Sequence, residues 1–263
     1  MGVDLGWTSG ATGLSCLVWD GEVLRIQAVT CQLAIADIFE WIQNQLGSEA
    51  ETVAAVIAVD APTIIPNETG MRLPDRLAHK HFRQYHAGCY PANLGRPFAS
   101  RTLEFGQRLE EMGFLHQPEL NVSQSPGRYQ LEVFPHAAMI HLFQLARILK
   151  YKKGRLAERR TELLRLRDLM RSHLPHLTPA LRLPTPRHTQ GVATSGEIDL
   201  PDIPTGGRAL KAAEDQLDSI ICAYVAAHWW YWGQAKNWTL GDRTTGYIVI
   251  PTPFGRLGPH LAP

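Results

Sequence analysis

The chain has 263 residues, of which 44% are hydrophobic and 19% are charged. This length and composition indicate a folded protein with a sizeable core, and they exclude both a disulfide-stapled peptide and a disordered chain. Because 26 Lys and Arg stand against 25 Asp and Glu, the formal charge is +1, and no overall field draws the chain to nucleic acid or to an anionic membrane.

The N-terminal part predicts a short strand, a hairpin, a helix and a buried strand. Strands are expected at residues 2–5, 14–19 and 23–29. Asp20-Gly21, between the last two strands, is a strong hairpin signal. Apolar spacing over 33–46 predicts an amphipathic helix, and the β-branched run 53–59 predicts a buried parallel strand. We expect strands 2–5 and 53–59 to lie side by side and parallel in one mixed sheet.

The rest of the chain alternates helices with irregular segments. Between Asp60 and Pro97 only residues 75–84 predict a helix. The later elements are helices over 100–112, 135–146, 155–174 and 208–232, and strands over 129–134 and 247–250. Prolines make 175–204 irregular. We therefore interpret the chain as a single α/β domain over 1–263, in which 150–207 form a helical and irregular insertion.

Acidic residues interrupt the apolar segments at three separated places. Asp4 lies inside the first strand, Asp60 ends the buried strand 53–59, and Asp218 faces inward on the last long helix. An unpaired buried carboxylate is costly, and ligands of open α/β sheets collect beyond the carboxyl ends of strands. Carboxylate oxygens suit Mg²⁺ or Mn²⁺, which can activate water for phosphodiester cleavage. These acids predict a metal-dependent hydrolase.

Two further acids lie near this set in the predicted fold. Glu132 alternates with Leu131 and Val133 along its strand, so it points either into the site or to solvent. For Asp215 we favour an exposed position in the first turn of the last helix, where an acid complements the helix dipole.

Short motifs occur in a defined order along almost the whole chain. They are Gly2-Val3-Asp4, Val59-Asp60-Ala61-Pro62, Arg72 with Asp75 and Arg83, Glu132-Val133-Phe134-Pro135, Lys150-Tyr151-Lys152-Lys153-Gly154, the segment 215–223, and Gly246-Tyr247-Ile248-Val249-Ile250-Pro251. Together they resemble the family of predicted nucleases of unknown function with a ribonuclease H-like fold, labelled domain of unknown function 429.

The resemblance has implications for both fold and site. It implies a ribonuclease H-like mixed sheet that begins with a three-stranded meander and carries helices on both faces. It also implies that Asp4, Asp60 and Asp218 bind two divalent ions, Mg²⁺ or Mn²⁺, and act in catalysis. Glu132 is the natural fourth acid, although it lies on a later strand than the usual second acid.

Basic residues close to the acids predict contacts with phosphates. Arg72, Arg76, Lys80 and Arg83 follow helical spacing and could form one cationic stripe, or equally a plain solvated face. Lys150, Lys152, Lys153 and Arg155 form a second basic cluster, which could bind a phosphate backbone, although such a run is more often a solvated loop between helices. We expect Arg72, Arg76, Arg83 and Lys152 to bind the substrate, a nucleic acid or a nucleotide.

Two other functions remain open from the sequence. Asp4-Leu5-Gly6 followed by Thr8, Ser9 and Gly10 resembles a phosphate-binding hairpin of actin-like phosphotransferases, which would make the protein a small-molecule kinase or ATPase. Alternatively the aromatic run 229–232 anchors a non-catalytic binding module, although such a run more often ends a core helix.

The sequence also suggests where the protein acts. Its longest apolar stretch is shorter than the roughly 20 residues of a membrane span, and its N-terminus lacks the pattern of a signal peptide. The four Cys have no Cys-x-x-Cys spacing, which argues against zinc and disulfides. We expect a cytoplasmic protein without a membrane partner.

Overall fold

The computed structural model describes residues 1–47, 53–120, 122–184 and 197–253. Its strands are β1 (Gly2–Asp4), β2 (Thr12–Trp19), β3 (Leu24–Gln32), β4 (Ala55–Val59), β5 (Leu115–His116), β6 (Arg128–Glu132), β7 (Leu181–Arg182), β8 (Asn237–Asp242) and β9 (Gly246–Pro251). Its α-helices are α1 (Ile35–Leu46), α2 (Leu73–Phe82), α3 (Ala99–Glu111), α4 (Pro135–Leu142), α5 (Leu156–His173) and α6 (Gly207–Trp232).

Seven strands form one mixed and mostly parallel sheet in the order β5-β6-β4-β1-β2-β3-β7. β1, β2 and β3 make an antiparallel meander, and β1 pairs in parallel with β4, with Val3 opposite Val59. Asp20 accepts hydrogen bonds from the amides of Glu22 and Val23 in the turn between β2 and β3. The predicted hairpin and the predicted parallel pair are therefore both confirmed.

The sheet buries a different set of side chains on each face. Val3 packs with Ile57 of β4 and with apolar residues of α1 and α3 on one face. Ala58, the next residue along β4, points to the other face and packs with α6. Because strand side chains alternate between faces, Gly2 and Asp4 point towards α6. The predicted helices on both faces of the sheet are present.

The C-terminal strand lies outside the seven-stranded sheet. β9 covers the predicted strand 247–250, but it pairs with β8 in a separate two-stranded antiparallel sheet. β8 was missed because its Asn, Thr and Gly residues weaken the strand pattern. The hairpin is closed by Asp242, whose side chain accepts hydrogen bonds from the amides of Thr244 and Thr245.

The described part of the predicted insertion extends the main sheet. Inside it, α5 buries Leu163, Leu166 and Met170, whereas Leu156 in its first turn is 45% exposed. β7 pairs in parallel with β3 at the sheet edge. Residues 185–196 of the irregular segment lie outside the described ranges. The interpretation of 1–263 as one domain stays a prediction.

Two helices differ in extent from their predictions. The helix expected at 75–84 runs over Leu73–Phe82 and continues as a single 3₁₀ turn. The helix expected to reach residue 146 ends at Leu142, and Gln144 has a positive φ of 52° just beyond it. Apolar residues after Leu142 continued the helical pattern although the backbone leaves it.

Candidate functional site

Glycines on β1 and β2 let α6 pass unusually close to the sheet. A Cβ on Gly2 would lie 1.9 Å from the carbonyl oxygen of Ser219, and one on Gly13 would lie 2.0 Å from that of Asp215. Only a residue without a side chain allows backbone to approach backbone in this way. Asp4, on the same face as these glycines, therefore meets the acids of α6.

Asp4, Asp60 and Asp218 surround one ammonium group. Lys152 Nζ lies 2.9 Å from Asp218 Oδ2, 3.9 Å from Asp60 Oδ2 and 4.0 Å from Asp4 Oδ1. The Asp218 side chain is fully buried, whereas that of Asp60 is 16% exposed. The structure thus brings together three acids from three separated parts of the chain, at the carboxyl ends of β1 and β4 and on α6.

The segment that carries Lys152 is fixed to both α5 and α6. The Tyr151 hydroxyl donates a 2.6 Å hydrogen bond to Asp218 Oδ1, and its ring stacks on His136. Arg159 Nε donates to the carbonyl oxygen of Tyr151, and Arg159 also pairs with Glu214 of α6. These contacts hold the Lys152 backbone beside the acids. Its side chain keeps 33% of its surface exposed.

Asp215 is buried, and its predicted exposed position is wrong. It lies well inside α6, which begins at Gly207, and it is 2% exposed. Lys211 Nζ lies 2.5 Å from Asp215 Oδ1 and 2.8 Å from Glu214 Oε1. The i, i+3 spacing of Asp215 and Asp218, together with Gly13 on the facing strand, was the signal that could have placed both acids at the sheet.

Burial dominates the ionisation of these acids. Desolvation raises the pKa of Asp4 well above its usual value, against the opposing effect of Lys152. It raises the pKa of Asp60 to about 6 and also raises that of Asp215. The surrounding carboxylates raise the pKa of Lys152, although burial opposes them. The ammonium therefore stays charged, and extra positive charge here would favour the ionised acids.

Glu132 lies in a separate buried ion-pair network. Arg72 Nη2 is 2.6 Å from Glu132 Oε1 and 2.7 Å from Asp75 Oδ1, and Arg72 Nη1 donates to Glu132 Oε2. Desolvation raises the pKa of Glu132 to about 7, and Arg72 opposes this shift. Both Glu132 oxygens are thus engaged by Arg72, and the Arg72 side chain is 1% exposed.

A pocket of about 420 Å³ opens above the acids. Asp4, Asp60, Asp215 and Lys152 line it, as do Arg72 and Glu132. The turn between β1 and β2 forms one wall, where the half-buried Trp7 donates from Nε1 to the carbonyl oxygen of Asp60. The exposed Tyr90 forms another wall. The pocket therefore combines acids, cations and aromatic surface.

The remaining basic residues of the expected stripe lie elsewhere. Arg76, Lys80 and Arg83 are exposed on or just after α2, whereas Arg72 precedes the helix and points inward. Arg76 and Arg83 are not among the residues that line the 420 Å³ pocket. Arg72, Arg76, Lys80 and Arg83 therefore do not form one surface. The predicted stripe assumed helical spacing for all four residues, but Arg72 lies outside the helix.

The carboxylates fit a hard divalent cation in their donor chemistry. Within the described ranges no group of three or more His, Cys, Asp or Glu is arranged as a metal centre, and Lys152 stands among the acids instead. Asp215 Oδ2 is buried and accepts no hydrogen bond from any described residue. Asp218 Oδ2 is paired with the Lys152 ammonium at 2.9 Å. Carboxylate donors with an unsatisfied buried oxygen on Asp215 suit Mg²⁺ or Mn²⁺.

The family described as "Protein of unknown function (DUF429)" matches residues 2–242. The chain belongs to this family. No curated protein and no solved structure matches this DUF429 chain. Across the described ranges of the DUF429 chain, no helix is long and apolar enough to cross a membrane.

Proposed function

We propose that this DUF429 protein is a divalent-metal-dependent phosphodiester hydrolase, a nuclease with a ribonuclease H-like fold. The observation that carries the proposal is the convergence of Asp4, Asp60 and Asp218, each within 4.0 Å of one point, the Lys152 nitrogen. Carboxylates from distant parts of a chain are costly to gather and bury unless they bind a cation.

The order of the elements supports the same proposal. The family resemblance implies a three-stranded meander followed by alternating helices and strands, with acids on the first strand, a central strand and the last long helix. β1 to β3 form such a meander, and Asp4, Asp60 and Asp218 occupy those positions. Fold alone does not establish an activity, so the site carries the argument.

In this proposal each residue has a defined task. Asp4, Asp60 and Asp218 hold Mg²⁺ or Mn²⁺, which supplies an activated water and stabilises the leaving oxygen when it is bound. Lys152 binds a substrate phosphate at the pocket mouth. Arg76 and Arg83, exposed on the α2 side, contact phosphates outside the pocket.

Arg72 and Glu132 have a different task in the same proposal. Arg72 holds Glu132 in the pocket wall through a buried ion pair, and both residues line the substrate cavity. Both Glu132 oxygens already pair with the Arg72 guanidinium, whose positive charge would repel a metal ion bound beside it. We therefore rank Asp215, with its unsatisfied Oδ2, ahead of Glu132 as the additional acid.

Replacement of Asp4 by Asn tests the metal site. Because Asp4 is desolvated and faces other carboxylates, D4N should keep the metal-free melting temperature or raise it. It should lose the rise that Mn²⁺ gives the parent, since only the folded parent holds a preformed site. Melting curves over a Mn²⁺ titration measure both effects.

Controls and an activity assay complete this test. Glu40→Gln makes the same chemical change at an exposed site on α1 and should leave the Mn²⁺ response intact. The parent should cleave at least one of single-stranded, duplex or hybrid oligonucleotides in Mn²⁺, and D4N should not. A parent that neither gains stability from Mn²⁺ nor cleaves any of these substrates contradicts the proposal.

A small-molecule phosphotransferase is the second candidate. The turn after β1 lines the same pocket through Gly6, Thr8 and Gly10, and the Gly6 amide donates to Thr12 Oγ1. Such a turn could cradle a phosphate. Gly206 and Gly207, the glycines at the N-terminal end of α6, do not line this pocket. Release of inorganic phosphate from ATP without cleavage of oligonucleotides would favour this candidate.

A further inference from the structure

The Lys152 side chain lies between two cavities. It lines the 420 Å³ pocket with the acids and also a neighbouring pocket of about 400 Å³, which Lys150 and Lys153 line as well. Its backbone neighbour Tyr151 is fixed by Asp218 and Arg159, whereas the lysine side chain is one-third exposed. Lys152 is thus a charged residue that the acidic pocket and the lysine-lined pocket share, on a backbone held by its neighbours.

The charges around Lys152 do not balance. Five carboxylates against three basic groups leave a formal charge of −2 when all are ionised. The acids are Asp4, Asp60, Glu214, Asp215 and Asp218, and the bases are Lys152, Arg159 and Lys211. If Lys152 turned away, the charge of the cluster would become −3. A departing lysine therefore increases the attraction of the site for a divalent ion.

We propose that Lys152 is a resident cation that competes with the divalent ion for the acids, and that it leaves them for a phosphate of the substrate. This inference rests on the proposed function, because it concerns the same metal site. Before the exchange the Lys152 ammonium occupies the point on which the three carboxylates converge. Metal and ammonium exclude each other there, because two cations within about 4 Å repel strongly in a buried site.

The position of the two pockets gives the exchange a direction. In the second pocket Lys152 would join Lys150 and Lys153, where three like charges are favourable only beside an anion. A substrate phosphate supplies that anion. The free protein therefore binds metal weakly, and the phosphate-bearing substrate promotes metal uptake. Coupling of this kind is reciprocal, so metal should also strengthen phosphate binding.

Replacement of Lys152 by Met tests the competition without any activity assay. Met keeps most of the side-chain length and removes the charge. K152M should bind Mn²⁺ at least about tenfold more tightly than the parent in calorimetric titration, because the competing cation is gone. Its metal-free melting temperature should fall, since the acids lose their counter-ion. Lys80→Met removes the same charge at an exposed position on α2 that lines neither pocket, and it should change neither quantity.

The outcomes separate this inference from the proposed function. If the parent binds Mn²⁺ and K152M binds it equally or more weakly, Lys152 does not compete and the inference is overturned, while the metal site stands. If neither protein binds Mn²⁺, both fail. Should K152M unfold without metal, its folding by circular dichroism on addition of Mn²⁺ supports the inference, and a lack of response overturns it.

Discussion

Arg72 shows how one residue can differ from its sequence pattern. Spacing placed it on an exposed stripe with Arg76, yet it precedes α2, and Asp75 accepts a hydrogen bond from its backbone amide. The side chain then points back into the protein and pairs with Asp75 and Glu132. Sequence could indicate a helix start at this position, but the buried partner on β6 is 60 residues away and invisible to local spacing.

Loss of the Arg72 side chain should strongly destabilise the protein. Arg72→Met leaves Glu132 and Asp75 buried without their cation, and breaking a buried pair in this way costs about 3–5 kcal/mol. Urea denaturation of the variant and the parent measures the difference. Arg76→Ala, at an exposed position on α2, is the control and should stay within about 0.5 kcal/mol. Equal stability of R72M and R76A would refute a structural role for the buried pair.

At the scale of elements, sequence indicated which three acids come together more clearly than it indicated what surrounds them. Asp4, Asp60 and Asp218 stand out because an acid in an apolar segment needs a partner wherever the segment lies. Asp215 was misplaced because a helical pattern does not show how far the sheet extends along α6. Only the close approach at Gly13 decides this, and that contact is made by tertiary packing.

The short strands were the other elements that sequence could not supply. β5 and β7 have two residues each and are strands only because they pair with β6 and β3. β8 likewise depends on β9. A long periodic segment such as α6 can be predicted from its own sequence. A short strand such as β5 or β7 forms only because a neighbouring strand pairs with it.

The glycine contact under α6 gives a test at this scale. Gly2→Ala places a methyl group 1.9 Å from the Ser219 carbonyl oxygen, so α6 must move away from β1. Overpacking of this kind costs about 1–3 kcal/mol. Because Asp218 moves with α6, the melting-temperature rise in Mn²⁺ should shrink as well.

Gly10→Ala is the matched control for Gly2→Ala. Its Cβ would find its nearest neighbour 3.9 Å away, which is ordinary contact. Denaturation curves of G10A should therefore lie close to those of the parent. If G2A were as stable as G10A and kept the full response to Mn²⁺, glycine would not be needed for the approach of α6 to the sheet.

At the scale of the whole molecule, burial acts on groups of both signs. It lowers the pKa of His116, His136 and His228 to about 4, and it raises the pKa of Asp60 to about 6 and of Glu132 to about 7. On acidification the unfolded state gains protons at the histidines, whereas the native state gains protons at the acids. As the pH falls from about 7 to about 4, the histidines lower the free energy of unfolding and the acids raise it. The two effects partly cancel, so the pH dependence of overall stability shows neither effect separately.

A comparison of the parent with a His228 variant isolates the contribution of one histidine to this pH dependence. His228 is 6% exposed on α6, and its Nδ1 lies 2.9 Å from Asn237 Oδ1. Burial is the main cause of its low pKa, and the charge of Lys236 adds to it. The unfolded chain binds a proton at this residue from about pH 6.5 downward, while the folded chain does not until about pH 4. The stability that neutral His228 provides is thus complete above about pH 6.5 and is lost as the pH falls towards 4.

Replacement of His228 by Gln should therefore have a pH-dependent effect. The loss of packing destabilises H228Q at both pH values, but only the parent is weakened by protonation. The stability difference between parent and H228Q, measured by urea denaturation, should shrink by about 2 kcal/mol between about pH 7.5 and about pH 5, at about 1.4 kcal/mol per pKa unit. A difference for H228Q that stays constant with pH would mean that this histidine takes up its proton equally in both states, in which case the packing of α6 against β8 does not exclude charge.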